Sequence, residues 1–106
     1  YLKDKKIKKE VLPFKVIKKE KVGLKSQNRA IQKIIVQTKS LPNEDTLKNT
    51  ATSIWKNNSN YDEFTVFIYL DDMDTNYNAY CIIEFSSTKM TDFMILESTL
   101  IDTKWE

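Results

Sequence analysis

DEFTVFIYLDDMDTNYNAYCIIEF, residues 62–85, reads as two strands around an acidic, asparagine-rich loop. Successive side chains of a strand point to opposite faces. In the first run Phe64, Val66, Ile68 and Leu70 share one face, and Thr65, Phe67 and Tyr69 share the other. In the second run Ala79, Cys81, Ile83 and Phe85 share a face, opposed by Tyr80, Ile82 and Glu84. Antiparallel pairing of Leu70 with Ala79 sets Ile68 against Cys81, Val66 against Ile83 and Phe64 against Phe85. It also sets Tyr69 against Tyr80, Phe67 against Ile82 and Thr65 against Glu84. A slip by one residue mixes the faces, so the pattern itself selects this register. The wholly apolar face is predicted to be core. The face of Phe67, Tyr69, Tyr80 and Ile82 is aromatic with polar tips, which suits a half-covered surface: a loop or terminal segment lies over it, or it is the candidate interaction surface.

Upstream, FKVIKKE at 14–20 alternates weakly and carries lysines, as an edge strand does to resist intermolecular pairing. Gly23, the one glycine, marks a turn or bulge. RAIQKIIVQT at 29–38 reads as a second strand, with Ala30, Gln32, Ile34 and Val36 opposing Ile31, Lys33 and Ile35. SLPNEDTLKNTATSIWKNN at 40–58 reads as a helix. Asn43 is placed to cap it, Glu44 and Asp45 complement the positive end of its dipole, and Leu47, Ala51, Ile54 and Trp55 form one stripe. Thr46, Thr50 and Thr52 are poor helix formers, so packing must hold it. Downstream, SSTKMTD at 86–92 is predicted as a turn and Phe93–Leu96 as the start of a fifth strand. Trp105 is either a staple over the sheet or exposed.

The order is β-β-α-β-β-β. The expected fold is therefore α+β: a single antiparallel or mixed β-sheet with one helix packed on one face. The connection from 39 to 62 is long enough to cross over, which allows strands two and three to be parallel neighbours. One helix covers only one face of a sheet. The other face is the expected home of Phe67, Tyr69, Tyr80 and Ile82.

A length of 106 residues fits one domain. No apolar run approaches the ~18 residues of a membrane-spanning helix. The lone Cys81 excludes an internal disulfide and, on the apolar face, behaves as a small hydrophobe. The net charge of +2 hides an asymmetry. Residues 1–25 hold ten lysines against Asp4, Glu10 and Glu20, or +7, and residues 26–106 carry −5. Residues 1–12 are expected to be a basic linker or tether and residues 13–106 a single α+β domain. A solvated tether is the simplest role for the lysines. An anionic membrane surface is the next, and a nucleic-acid arm the third, with too few aromatic residues there for a stacking platform.

The sequence is poor in catalytic groups. There is no His for a Ser-His-Asp or Cys-His arrangement or for a metal, and one Gly makes no phosphate-cradling loop. No cofactor and no enzymatic activity are expected. The one candidate cation site is the loop DDMDTNYN at 71–78. Asp72, Asp74, Asn76 and Asn78 are spaced like the first ligands of a calcium loop. The match fails at Tyr77, where such a loop needs Gly, and at Ile83, where it needs a bidentate Glu. Short Asp and Asn side chains also close turns by local hydrogen bonds. Asp71 and Asp72 as an acid–base pair point to opposite faces of an extended chain.

FKVIKKEKVGLKSQNRAIQKIIVQ, the helix opening near NEDTLKNTATSIWK, and the 62–85 hairpin together resemble a family of small bacterial and phage domains of unknown function. The resemblance runs over about residues 14–86. It rests on an Arg-led strand at Arg29, a "vFiYl" strand at Val66–Leu70 and an "AYaiieF"-like strand at Ala79–Phe85. It implies no activity and no catalytic residue. Members often sit behind a membrane anchor or another small module. With a chain beginning at Tyr1 rather than Met, the expectation is the C-terminal part of a longer, membrane-tethered or lipoprotein-like bacterial protein. The expected function is a non-enzymatic binding or accessory domain, with a protein partner or a second copy on the aromatic face. The alternatives are a weak divalent-cation site or small enzyme at 71–78, and anionic membrane or nucleic-acid binding through residues 1–25.

Overall fold

The computed structural model describes residues 10–24 and 26–106. The elements run β1 (Phe14–Val22), β2 (Arg29–Val36), α1 (Glu44–Trp55), β3 (Glu63–Leu70), β4 (Cys81–Ser86), β5 (Met90–Ile95) and a short 3-10 turn at Glu97–Leu100. The five strands form one sheet in chain order, β1-β2-β3-β4-β5. All neighbours are antiparallel except β2 and β3, which are parallel across the helical crossover. The fold is thus a small α+β domain with a mixed sheet.

The hairpin register is the one that alternation dictates. Phe64 pairs with Phe85, Val66 with Ile83, Phe67 with Ile82 and Ile68 with Cys81. The face bearing Ile34, Val36, Phe64, Val66, Ile68, Leu70, Cys81, Ile83 and Phe85 is buried. Helix α1 supplies Leu47, Ala51 and Ile54 to the same core. Trp55 stacks on Phe85 at 5.0 Å and donates its indole N–H to the Ser86 carbonyl at 3.0 Å, fixing the last turn of the helix against β4.

The helix starts where the capping residue predicts. The Asn43 side chain accepts the Thr46 N–H at 2.8 Å. The buried threonines have partners. Thr50 Oγ1 donates to the Thr46 carbonyl at 2.8 Å and accepts the Leu12 N–H at 3.0 Å, while Thr46 Oγ1 bonds Glu10. Glu10 and Leu12, in the segment expected to be a linker, are therefore hydrogen-bonded to the helix. Residues 1–9 of that expected tether lie outside the described residues.

Element bounds differ from the sequence reading, most of all in β5. Strand β5 begins at Met90 and ends at Ile95, because Ser86 closes a tight turn: its N–H donates to the Lys89 carbonyl, and its hydroxyl accepts the Thr88 and Lys89 N–H groups. A β-bulge interrupts the β1–β2 register between Val16 and Lys18. Gly23 then turns the chain at φ +82, a conformation that L side chains disfavour, and a Cβ there would also meet the Gln27 side chain.

Candidate functional site

The sheet face opposite the helix is assembled by register. Across the strands, Lys18 pairs with Lys33, Lys33 with Phe67, Phe67 with Ile82, and Ile82 with Met94. The next row runs Glu20, Ile31, Thr65, Glu84 and Asp92. Ile31, Ile35, Phe67 and Ile82 are half-buried, and Met94 is 43% exposed. The first row thus leaves an apolar strip running from β3 to the β5 edge, with cations at its β1–β2 end and the Glu84 and Asp92 carboxylates in the next row. Two ion pairs lie on this face: Lys18 with Glu20 at 3.3 Å, and Arg29 with Glu63 at 2.8 Å.

Two of the four residues expected on this surface are closed off. Tyr69 is 2% exposed and Tyr80 is 5% exposed. The Tyr69 hydroxyl donates to the Tyr77 carbonyl at 2.6 Å, so the 71–78 loop folds back to satisfy the phenol. A buried tyrosine requires such a partner, and a carbonyl-rich loop at the end of its own strand is the local hint of one. Burial raises the Tyr69 pKa, aided by the negative charge of Asp74. Burial also raises that of Tyr80, with smaller contributions from Cys81 and Glu97. Phe67 and Ile82 alone of the four remain partly accessible, and Met94 joins them from β5.

The acidic loop is organised by its own backbone. The Asp74 carboxylate accepts the Asn76 N–H at 2.9 Å, and the Asp74 carbonyl accepts the Tyr77 N–H at 3.2 Å. The Met73 N–H donates to the Leu70 carbonyl at 3.1 Å. Asp72 occupies the left-handed region at φ 77, which Asp tolerates better than most residues. Among the described residues no group of three His, Cys, Asp or Glu side chains is arranged to hold a metal.

The C-terminal segment seals this loop, a role that the sequence reading left open. Trp105 Nε1 donates to the Asp71 carbonyl at 2.6 Å, and Lys104 Nζ meets Asp71 Oδ2 at 2.8 Å. The hydrogen bond and charge of Lys104 hold the Asp71 carboxyl below its ordinary range, and Asp71 raises Lys104 in return. A cleft of about 410 Å³ lies between the loop and residues 98–103, with Asp72, Asp74, Tyr77 and Asp102 on its walls.

Comparison with family models, with curated proteins and with solved structures finds no match.

Proposed function

We propose that this domain acts by binding, with the exposed sheet face as its contact surface for a protein. The observation that supports this reading is the apolar strip of Phe67, Ile82 and Met94. It runs from the central strand β3 to the edge strand β5, with Lys33 and Lys18 at its inner end and Glu84 and Asp92 in the neighbouring row. An apolar patch with a polar rim is the usual anatomy of a protein contact, with an aromatic anchor near its centre. Phe67 is that anchor.

Photocrosslinking tests this. A photoreactive phenylalanine analogue replaces Phe67 or Met94 in the intact protein inside its own cells. Asn49, half-buried on the helix, serves as the control position. Discrete protein adducts from positions 67 and 94, absent from position 49, are the expected result. A sheet face that gives no adduct, or the same adducts as the helix, overturns the reading.

A further inference from the structure

The β1–β2 hairpin and the remainder of the domain carry opposite charge. Residues 14–36 hold seven basic residues against Glu20, or +6, while residues 37–106 hold five against twelve acidic ones, or −7. β1 is an edge of the sheet, paired to β2 alone. Residues 15–19 are all exposed, so neither face of β1 is covered there. Among the described residues, the lysines of β1 and β2 have one carboxylate partner, Glu20 on Lys18, and Lys19 lies over the Tyr61 ring at 5.9 Å. Lys18 stands directly opposite Lys33, whose other cross-strand neighbour is Phe67. Like charges so placed oppose strand pairing. Protection of a free edge accounts for lysines on β1. It does not account for Lys33 on the inner strand β2. Nor does it account for three exposed aliphatic side chains among the lysines: Val16 at 49%, Ile17 at 38% and Leu24 at 71%.

We propose that this cationic edge docks on the headgroups of an anionic lipid bilayer, with Ile17 and Leu24 seated among them. An anionic leaflet attracts lysines held near it, and aliphatic side chains on the same surface enter the boundary with the acyl chains. Ile17 sits at the bulge, outside the β1–β2 ladder, and Leu24 follows Gly23 in the turn after β1. The two bracket Lys18, Lys19 and Lys21 over about 20 Å of strand, so one flat surface meets all of them. Lys15 and Lys18 project on one face of the sheet and Lys19 and Lys21 on the other. Their long stems carry all four ammonium groups to a plane laid along the edge. Glu84 on β4 and Asp92 on β5 lie three and four strands away. At about 15–20 Å they are beyond the Debye length of about 8 Å at physiological ionic strength, and they leave the attraction in place. A nucleic acid answers the same charge. The apolar groups decide between the two, because single-strand binders line a basic groove with aromatic side chains, whereas this edge exposes Val16, Ile17 and Leu24.

The test is flotation of the full chain with lipid vesicles at about 50 mM salt. Vesicles of phosphatidylcholine with about 30% phosphatidylglycerol should carry the protein, and phosphatidylcholine alone should not. Salt at about 500 mM should release it. K15Q/K21Q should weaken binding about 25-fold, at about fivefold per lysine. K48Q/K89Q removes the same charge from the β5 side, where Lys48 lies over Phe93 at 4.8 Å and Lys89 precedes β5. That variant should bind within about threefold of wild type, since its two positions are screened from the surface. I17S/L24S should weaken binding about tenfold and leave the salt dependence as in wild type. Circular dichroism melts establish that the variants fold.

A wild type that does not float with the anionic vesicles overturns the inference. So does K15Q/K21Q binding as wild type does, or K48Q/K89Q losing as much as K15Q/K21Q. A single-stranded oligonucleotide that strips most of the protein from the vesicles at equal phosphate concentration overturns it in favour of a nucleic acid.

Discussion

Cys81 shows how a single position answers to its neighbours. It is fully buried between β3 and β5, and burial, aided by the charge of Glu44, pushes its thiol from 9.0 up to about 12. Native protein should therefore resist thiol-specific reagents that label the unfolded chain stoichiometrically. The linkage has a definite sign. Between pH 9 and about 12 the unfolded thiol ionises and the folded one does not, so stability falls as pH rises through that window. The slope contributed is at most ~1.4 kcal/mol per pH unit. Urea titrations at pH 8 and pH 10 should show this loss in wild type and less of it in Cys81→Ala. An equal loss in both would show that the thiol is not responsible. Tyr69 is the converse lesson. Its place on a half-polar face suited to cover by a loop was legible from alternation, but the partner of its phenol was not, because that is the Tyr77 carbonyl, eight residues further along.

At the scale of the element, helix α1 was readable from its cap and its stripe, and its threonines were the unexplained part. The structure gives Thr50 two partners, one inside the helix and one in the N-terminal segment. Thr50→Val keeps the shape and removes both bonds. It should cost about 1–2 kcal/mol in chemical denaturation and loosen residues 10–12 in hydrogen exchange. Thr52→Val, at a half-buried position one turn-face away, should stay within about 0.5 kcal/mol of wild type. Equal effects at the two positions would remove the special role assigned to Thr50. Strand β5 was misplaced for a local reason. MTD looked like turn residues, yet Ser86 makes the turn in so few residues that Met90 already pairs with Phe85.

Across the whole molecule, strand order sets a gradient of protection. β3 is held by β2 on one side and β4 on the other, beneath α1. β1 is paired on one side only, and a bulge breaks its ladder beside the exposed Ile17. Amide exchange should be slowest at Val66 and Ile68 and fastest, among the strands, around Ile17. Comparable protection in β1 and β3 would contradict this. The same layering leaves the Phe67–Ile82–Met94 strip uncovered, because a single helix spans one face of the sheet.

The sequence by itself determined the faces of the central hairpin, its register, the helix start at Asn43 and the crossover that permits a parallel β2–β3 pair. These follow from periods of two and 3.6 residues and from one capping side chain, all short-range properties of the chain. Tertiary structure decided which side chains are covered. It closed Tyr69 with the 71–78 loop, tied Asp71 to Lys104 and Trp105, strapped Glu10 and Leu12 to the helix, and brought Met94 beside Ile82. Each of these depends on where a distant segment returns. Local periodicity assigns a side chain to a face, but only the path of the rest of the chain determines whether that face is covered.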